Sequence, residues 1–406
     1  MMIKRIKDGF TLTANCFTQE LKAIFKDSGA LLLFVIAILS YPVIYSIGYE
    51  KELVRDIPVA VVDMDKTASS RLLARMADAT EQINVKDKPS SLQEAKDLFY
   101  KGEVNGVLLI PKDFEKDLYH GHQTAVSVYC DASYFLLYKQ VLTAGVMSSS
   151  YFSAGVEMKK LMGQKKSYEQ ALSARDPLAF KAYYLYNPSS AYGSFVMPGM
   201  ILVILQQTLL IGIGMLGGTT REKKRYKFMV PSSSKSQKVM PLVLGHSLAY
   251  ILIYLFNTVF GLLWVYDWFS FPDKSGFFKI LFLMIPFIMA VTFLGMTMSV
   301  LFKRREHSLM FMVFLSPAIL FVSGLSWPSS AIPPLIHHLS YVFPTTAAIP
   351  AYLRLRTMGV DLSAISNELW FLMGQTVVYF LCACAAYKLA MKQAFKKIDA
   401  EEDSID

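Results

Sequence analysis

Long apolar runs without charge alternate with short basic clusters along this chain. A bilayer-crossing helix needs about 20 apolar residues. The first such run covers residues 28–49. It is too long for a typical signal-peptide core and no A-x-A-like site follows it, so it reads as an uncleaved anchor. After a long charged stretch, a second span is expected from near Ser194 to Gly217 and Gly218. A third is expected over 239–266 and a fourth over 280–302. Residues 308–353 carry no charge but are interrupted by Pro317, Pro328, Pro333, Pro334, Pro344 and Pro350. That pattern predicts one helix to about Leu325, then a re-entrant or broken segment near 326–350 that stays on one side. Irregular backbone at membrane depth is tolerated only where protein or a water-filled cavity surrounds it. The sixth span is expected over 369–387.

The stretch between the first two spans has a different rhythm. Residues 57–63 read as a buried strand, and Asp65 to Ser70 as a turn with helix caps. A helix, a weak strand near 82–86 and a helix opened by a Ser91/Glu94 capping box follow. Residues 104–110 form an apolar strand, Pro111 to Phe114 open a short helix, and 124–130 form another strand. One long helix is expected over 132–174. Strands alternating with helices imply a small α/β domain around a central sheet.

Composition and charge orient these pieces. Of 406 residues, 53% are hydrophobic and 18% charged, below the roughly 25% charged of soluble domains. This excludes a disordered chain, a coiled coil and an ordinary soluble enzyme. The net charge of +9 does not call for nucleic acid, because membrane proteins concentrate Lys and Arg in cytoplasmic loops. Lys4, Arg5, Lys7, Lys22 and Lys26 precede span one. Arg221, Lys223, Lys224, Arg225, Lys227, Lys235 and Lys238 follow span two; Lys303, Arg304 and Arg305 follow span four; Lys388, Lys392, Lys396 and Lys397 follow span six. All fall on one side, so both termini are expected in the cytoplasm and the α/β domain outside. The expected organisation is a cytoplasmic interface helix (1–27), the first transmembrane helix (28–49) and an extracytoplasmic α/β domain (50–190). A five-span domain (191–390) and a cytoplasmic tail (391–406) complete it. The first of these carries Phe10, Ala14, Phe17, Leu21, Ile24 and Phe25 at helical spacing, fit to lie in the membrane interface or to pack on protein.

No catalytic constellation stands out. Asp63 and Asp65 at a strand end could hold a cation or substrate, but turn and capping chemistry is the preferred reading, and Asp131 is treated alike. His120 and His122 lack a third metal ligand. The four cysteines, Cys16, Cys130, Cys382 and Cys384, have no metal or disulfide spacing. The six spans as drawn contain no Asp, Glu, Lys or Arg, which disfavours proton- or sodium-coupled transport. No GxxxxGK[ST] loop is present, so an energy source on another chain is implied.

The order of elements and several local motifs resemble the type-2 ABC exporter permeases, in the subgroup with a large external domain between the first two spans. Phe321 to Pro328, containing Ser323, Gly324 and Trp327, resembles the family's S-G-x-x-x-P stretch. Pro333, Pro334, Leu339, Ser340, Pro344 and Thr345 resemble its downstream run, and Gly359 its trailing glycine. In the external domain, Val59 to Asp65 resembles V-A-V-V-D-x-D. Gly102 to Phe114, with Gly106 and Pro111, resembles G-x-V-x-A-V-x-x-I-P-x-x-F, and Val126 to Ser133 with Asp131 resembles V-x-V-Y-x-D-A-S. The loop after span two departs from the family: Arg221-Glu222-Lys223-Lys224-Arg225 keeps the R-E start but loses the second acid and the Gly-Thr. The resemblance implies an inner-membrane, multi-pass permease that exports an amphipathic or hydrophobic substrate such as a drug or lipid. It would be no enzyme itself and hold no cofactor; ATP and Mg would be on two copies of a partner ATP-binding subunit. The permease would pair as a homodimer or with a homologue. Residues 221–225 would couple to the ATPase, together with the interface helix through Phe10, Phe17, Leu21 and Phe25. Ser323, Gly324, Trp327, Pro328, Pro333 and Pro344 would form an external gate. A periplasmic adaptor and outer-membrane channel would complete an efflux pump, with no nucleic acid involved. The competing expectation is a non-transporting envelope receptor or scaffold.

Overall fold

The computed structural model describes residues 2–49, 54–178, 180–187, 192–223 and 239–402. The chain is mostly helical, at 73%, and divides into two units: Met1–Glu50 with Tyr184–Asp406, and Lys51–Tyr183.

In the first unit, α1 (Met2–Lys26) precedes, among the described residues, six helices long and apolar enough to cross a membrane. These are α2 (Ser28–Gly48) and, after the helices of the second unit, α8 (Tyr192–Glu222), α9 (Val239–Trp268), α10 (Phe277–Ser299), α11 (Arg305–Val322) and α14 (Ser366–Glu402). Helix α8 is the hub: 83% of its most apolar window is buried, against 17% for α11. Small residues make this possible, since helices in an apolar solvent associate by close packing rather than hydrophobic exclusion. A Cβ on Gly212 would lie 2.3 Å from the Phe34 ring, and one on Gly218 would lie 2.6 Å from the Arg304 backbone. The glycine pair at 217–218 is therefore not the helix stop that the sequence suggested. It lets the turn between α10 and α11 press against α8, which runs on to Glu222.

Span one has a π turn at Leu32–Ala37. Inside it, the Phe34 carbonyl accepts a 2.8 Å hydrogen bond from the buried Asn257 amide. A polar side chain in an apolar surround needs such a partner.

The segment after α11 turns at Gly324, where φ is +81. A short 3-10 turn and α12 (Pro334–Ser340) follow. Helix α13 (Thr345–Leu353) then goes inward, burying Thr345, Ala348 and Tyr352. Its first N–H, on Thr345, donates to Gln206 Oε1 at 3.1 Å. Gln206 lies 14 residues into α8, about 21 Å along it at 1.5 Å per residue, so the segment reaches the middle of span two. A π turn at Arg354–Met358 and Gly359, at φ +70, lead back out to α14.

The second unit is a four-stranded sheet in the order β2-β1-β3-β4. Strands β1 (Ile57–Asp63), β2 (Ile83–Asp87) and β3 (Gly106–Ile110) are parallel; β4 (Ser127–Cys130) is antiparallel to β3. Residues 57, 59 and 61 of β1 face a core shared with α3 (Ala68–Asp78), α5 (Phe114–His120) and α6 (Phe135–Gly163). Ala60 and Val62 face α4 (Leu92–Tyr100). The alternation explains why β1 reads as continuously apolar: both faces are covered. The long helix expected over 132–174 is two, α6 and α7 (Tyr168–Arg175), parted by Lys165 at φ +64 and restarted by a Ser167/Gln170 capping box.

Candidate functional sites

Two constellations in the helical unit hold elements that are not spans. One lies at its basic end. Helix α1 crosses α9 with Leu12, Cys16, Glu20 and Ile24 buried. These four recur every four residues, one stripe of the helix. The crossing is close because position 245 is glycine; a Cβ there would sit 2.5 Å from that of Cys16 and 2.6 Å from the Thr13 carbonyl. Glu20 is 4% exposed. Its carboxylate accepts a hydrogen bond from the Tyr250 hydroxyl, and His246 Nε2 lies 3.7 Å from its other oxygen. Burial, reinforced by Glu20, pushes the Cys16 thiol up to about 11. Of the predicted interface residues, Phe17 and Leu21 pack against the core. Phe10 and Phe25 are exposed.

Beside this crossing, the ends of α2, α8 and α11 are tied together. Asp27 caps α2 by accepting the Gly29 and Ala30 N–H groups, each at 3.0 Å. It also pairs with Arg305 at 3.2 Å. Arg221 donates to the Ser299 and Phe302 carbonyls, the latter at 2.8 Å, and so anchors α8 to the α10–α11 turn. The Glu222 carboxylate is 3.5 Å from the Arg305 N–H. A small cavity of about 170 Å³ between α1 and α8 is lined by Lys26, Asp27, Thr219 and Lys223. Lys224 and Arg225 lie outside the described residues.

The other constellation lies at the opposite end. Arg356 is 1% exposed. Its guanidinium carbon stands 3.2 Å from the centroid of the Tyr266 ring. It donates to the Leu262 carbonyl at 2.8 Å and to the Tyr352 hydroxyl, and pairs with Asp273 at 3.0 Å. One side chain thus joins the return of the re-entrant segment to α9 and to the α9–α10 loop. Next to it, Lys279 pairs with Asp361 at 2.6 Å. Lys279 holds the Asp361 carboxyl below its ordinary value.

The proposed gate residues build the hairpin itself. Ser323 is buried and donates to the Leu320 carbonyl at 2.7 Å. Trp327 stacks on Phe321 and Pro328 opens the 3-10 turn. Pro333 and Pro344 sit at the N-caps of α12 and α13, where a missing N–H costs nothing. Ser323, His337, Tyr341 and Glu368 line a cleft of about 410 Å³ there.

The α/β motif residues organise the domain rather than a reaction centre. Asp63 accepts from the N–H groups of Asp65 and Lys66 and from the Ser70 hydroxyl. Asp65 accepts from Thr67 and the Glu115 N–H. Gly106 meets Val141, where a Cβ would come within 2.6 Å, Pro111 follows β3, and the buried Phe114 lies 5.5 Å from Phe152. Asp131 closes a turn onto Ser133, whose hydroxyl and N–H hold its carboxyl below the ordinary value. His122 lies 3.8 Å from Asp117, and its ring is 6.1 Å from that of His120. Among the described residues no three His, Cys, Asp or Glu side chains gather to hold a metal.

Sequence reasoning missed Glu20 and Arg356. Glu20 could have been found, because it shares a four-residue period with Leu12, Cys16 and Ile24; Arg356 stands just past the charge-free run, but no local signal pairs it with Asp273 or Tyr266.

No curated protein sequence matches the chain. A family profile described as ABC-2 family transporter protein does match, over residues 29–385. That range takes in the sheet and the re-entrant segment and reaches from the first candidate span into the sixth, and with it the chain belongs to the ABC-2 family of transporter proteins.

Proposed function

We propose that this chain is the permease subunit of an ATP-driven exporter in a cytoplasmic (inner) membrane. The basic end faces the cytoplasm and the α/β unit lies outside. A separate ATP-binding subunit, in two copies, docks on the exposed face of α1 and on the segment that follows Arg221. Two permeases pair to enclose the path. The substrate is amphipathic or hydrophobic. The observation that carries this reading is the tie between α2, α8 and α11 at the basic end, next to α1, through Asp27, Arg221 and Arg305. A push on any one of these elements is delivered to three spans. The uncharged polar layer of Gln206, Gln207 and Thr208 in α8 supports an amphipathic substrate better than an ion. An adaptor on the outer side is part of the same proposal.

Purification from the native host in mild detergent, with mass spectrometry and an ATPase assay, tests it. A stoichiometric ATP-binding protein with vanadate-sensitive hydrolysis is expected. Recovery without any nucleotide-binding partner would replace this reading with a receptor or scaffold.

A further inference from the structure

The α/β unit contains a cleft that its loop motifs and the spans leave unexplained. It encloses about 520 Å³, within the few-hundred to thousand Å³ typical of small-ligand sites. It opens beside α3 at the carboxyl ends of β1 and β2. Open parallel sheets present their ligand sites at strand carboxyl ends, where the connecting loops part. The point between β1 and β3, where the connections diverge, is closed here. Glu115 accepts from the Ser69 N–H and hydroxyl, and Asp65 accepts from the Glu115 N–H. The opening is displaced by one strand.

The cleft is two-sided in its chemistry. Val61, Ala74 and Val85 supply an apolar floor, while Lys66, Arg71, Arg75 and Lys88 bring four cations to its walls. Two carboxylates also line it, but both are engaged by the domain itself. Asp63 is spent on the turn after β1, and Asp78 accepts the Val85 N–H at 2.7 Å. Among the described residues no acid forms an ion pair with any of the four cations. Lys66 itself is held at φ +57, a left-handed conformation that costs a residue with a Cβ and that glycine would adopt freely. Asp63 enforces it by taking the Lys66 N–H at 2.8 Å. A strained backbone thus carries a cation to the cleft.

We propose that this cleft binds a soluble organic anion. Its carboxylate, sulfonate or phosphate group is met by Lys66, Arg71, Arg75 and Lys88, and its apolar body lies on Val61, Ala74 and Val85. The site is independent of the export reading, because its support lies wholly within the α/β unit.

The full chain in phosphatidylcholine nanodiscs, titrated with 2-naphthalenesulfonate and followed by saturation-transfer NMR against empty discs, tests this. Uncharged 2-naphthalenemethanol and inorganic phosphate are the comparison probes. The expected result is saturable binding of the sulfonate, with both comparison probes at least tenfold weaker. Arg75→Gln combined with Lys88→Gln should weaken the sulfonate at least tenfold, and Arg75→Lys with Lys88→Arg should keep it within about threefold. No transfer above empty discs overturns the proposal, as does unchanged affinity in the glutamine pair. Phosphate bound as tightly as the sulfonate overturns the assignment to an organic anion.

Discussion

The two ends of the helical unit solve one problem with opposite charges. Each end must hold a helix that does not itself cross the membrane: α1 at the basic end, the re-entrant α13 at the other. Each does so with one buried ionisable side chain beside tyrosine. The difference is in the counter-charge. Arg356 has a carboxylate, Asp273, at 3.0 Å and a ring face at 3.2 Å. Glu20 has a hydroxyl and an imidazole, with no Lys or Arg paired to it among the described residues. A buried ion pair is costly to break from one side, because the surviving charge is stranded. A hydrogen bond to a carboxylate contributes less, about 1.5–3 kcal/mol. The re-entrant segment is therefore pinned firmly, and α1 is clamped by packing at Gly245 with a softer polar latch. That suits the proposed docking of a moving partner at this end.

Mutations can break this contrast. The largest effect is expected for Arg356→Ala, which empties a buried site and leaves the Leu262 carbonyl without its donor. A loss of about 2–5 kcal/mol should appear as a large drop in the thermal midpoint of the purified chain. Arg356→Met together with Asp273→Leu should recover much of it, because neither charge then remains. Next comes Gly245→Leu, which drives a side chain into Cys16 and Thr13. Overpacking of this kind costs about 1–3 kcal/mol, and α1 should lift, seen as faster proteolysis after residue 26. Smaller still is Glu20→Gln. Its amide oxygen can still accept from Tyr250, so stability should fall by about 1 kcal/mol or less, whereas Glu20→Leu should cost about 1–3 kcal/mol by orphaning that hydroxyl. A larger loss in Glu20→Gln than in Arg356→Ala would reverse the ranking of the two pins.

The finest probe is Cys16. Its thiol is held near 11, so at pH 8 only on the order of one molecule in a thousand carries the reactive thiolate. Maleimide labelling should be slow there and rise only as pH approaches 11. In Gly245→Leu the rise should move down toward the ordinary thiol range, because the burial that disfavours the thiolate is gone. Labelling at the same pH in both proteins would mean that α1 is not clamped at this crossing.

What the sequence made legible follows from the range of each interaction. The spans were readable because solvation by lipid is a local, additive property of some 20 residues. The strands β1 and β3 were readable because both of their faces are covered by helices, which makes each a short continuous apolar run. Gly217 and Gly218 misled because a glycine pair reads as a helix end, whereas here the neighbour that needs the space, Arg304, is far along the chain. Glu20 was hidden behind the aromatic stripe of Phe10, Phe17 and Phe25, although the buried stripe is Leu12, Cys16 and Ile24. Arg356 was invisible as a site because nothing local pairs it with Asp273 or Tyr266. The basic cleft likewise joins Lys66 to Lys88 only once the sheet order places β2 beside β1.

The central claim is that the basic end receives the ATP-binding subunit. The direct test is a photo-crosslinking residue placed at Phe10, 77% exposed, or at Leu335, 73% exposed at the opposite end, in cells that express the whole transporter. Crosslinks to an ATP-binding protein from position 10 and none from position 335 are predicted. A crosslink from 335, or from neither position, would contradict the assignment of the two ends.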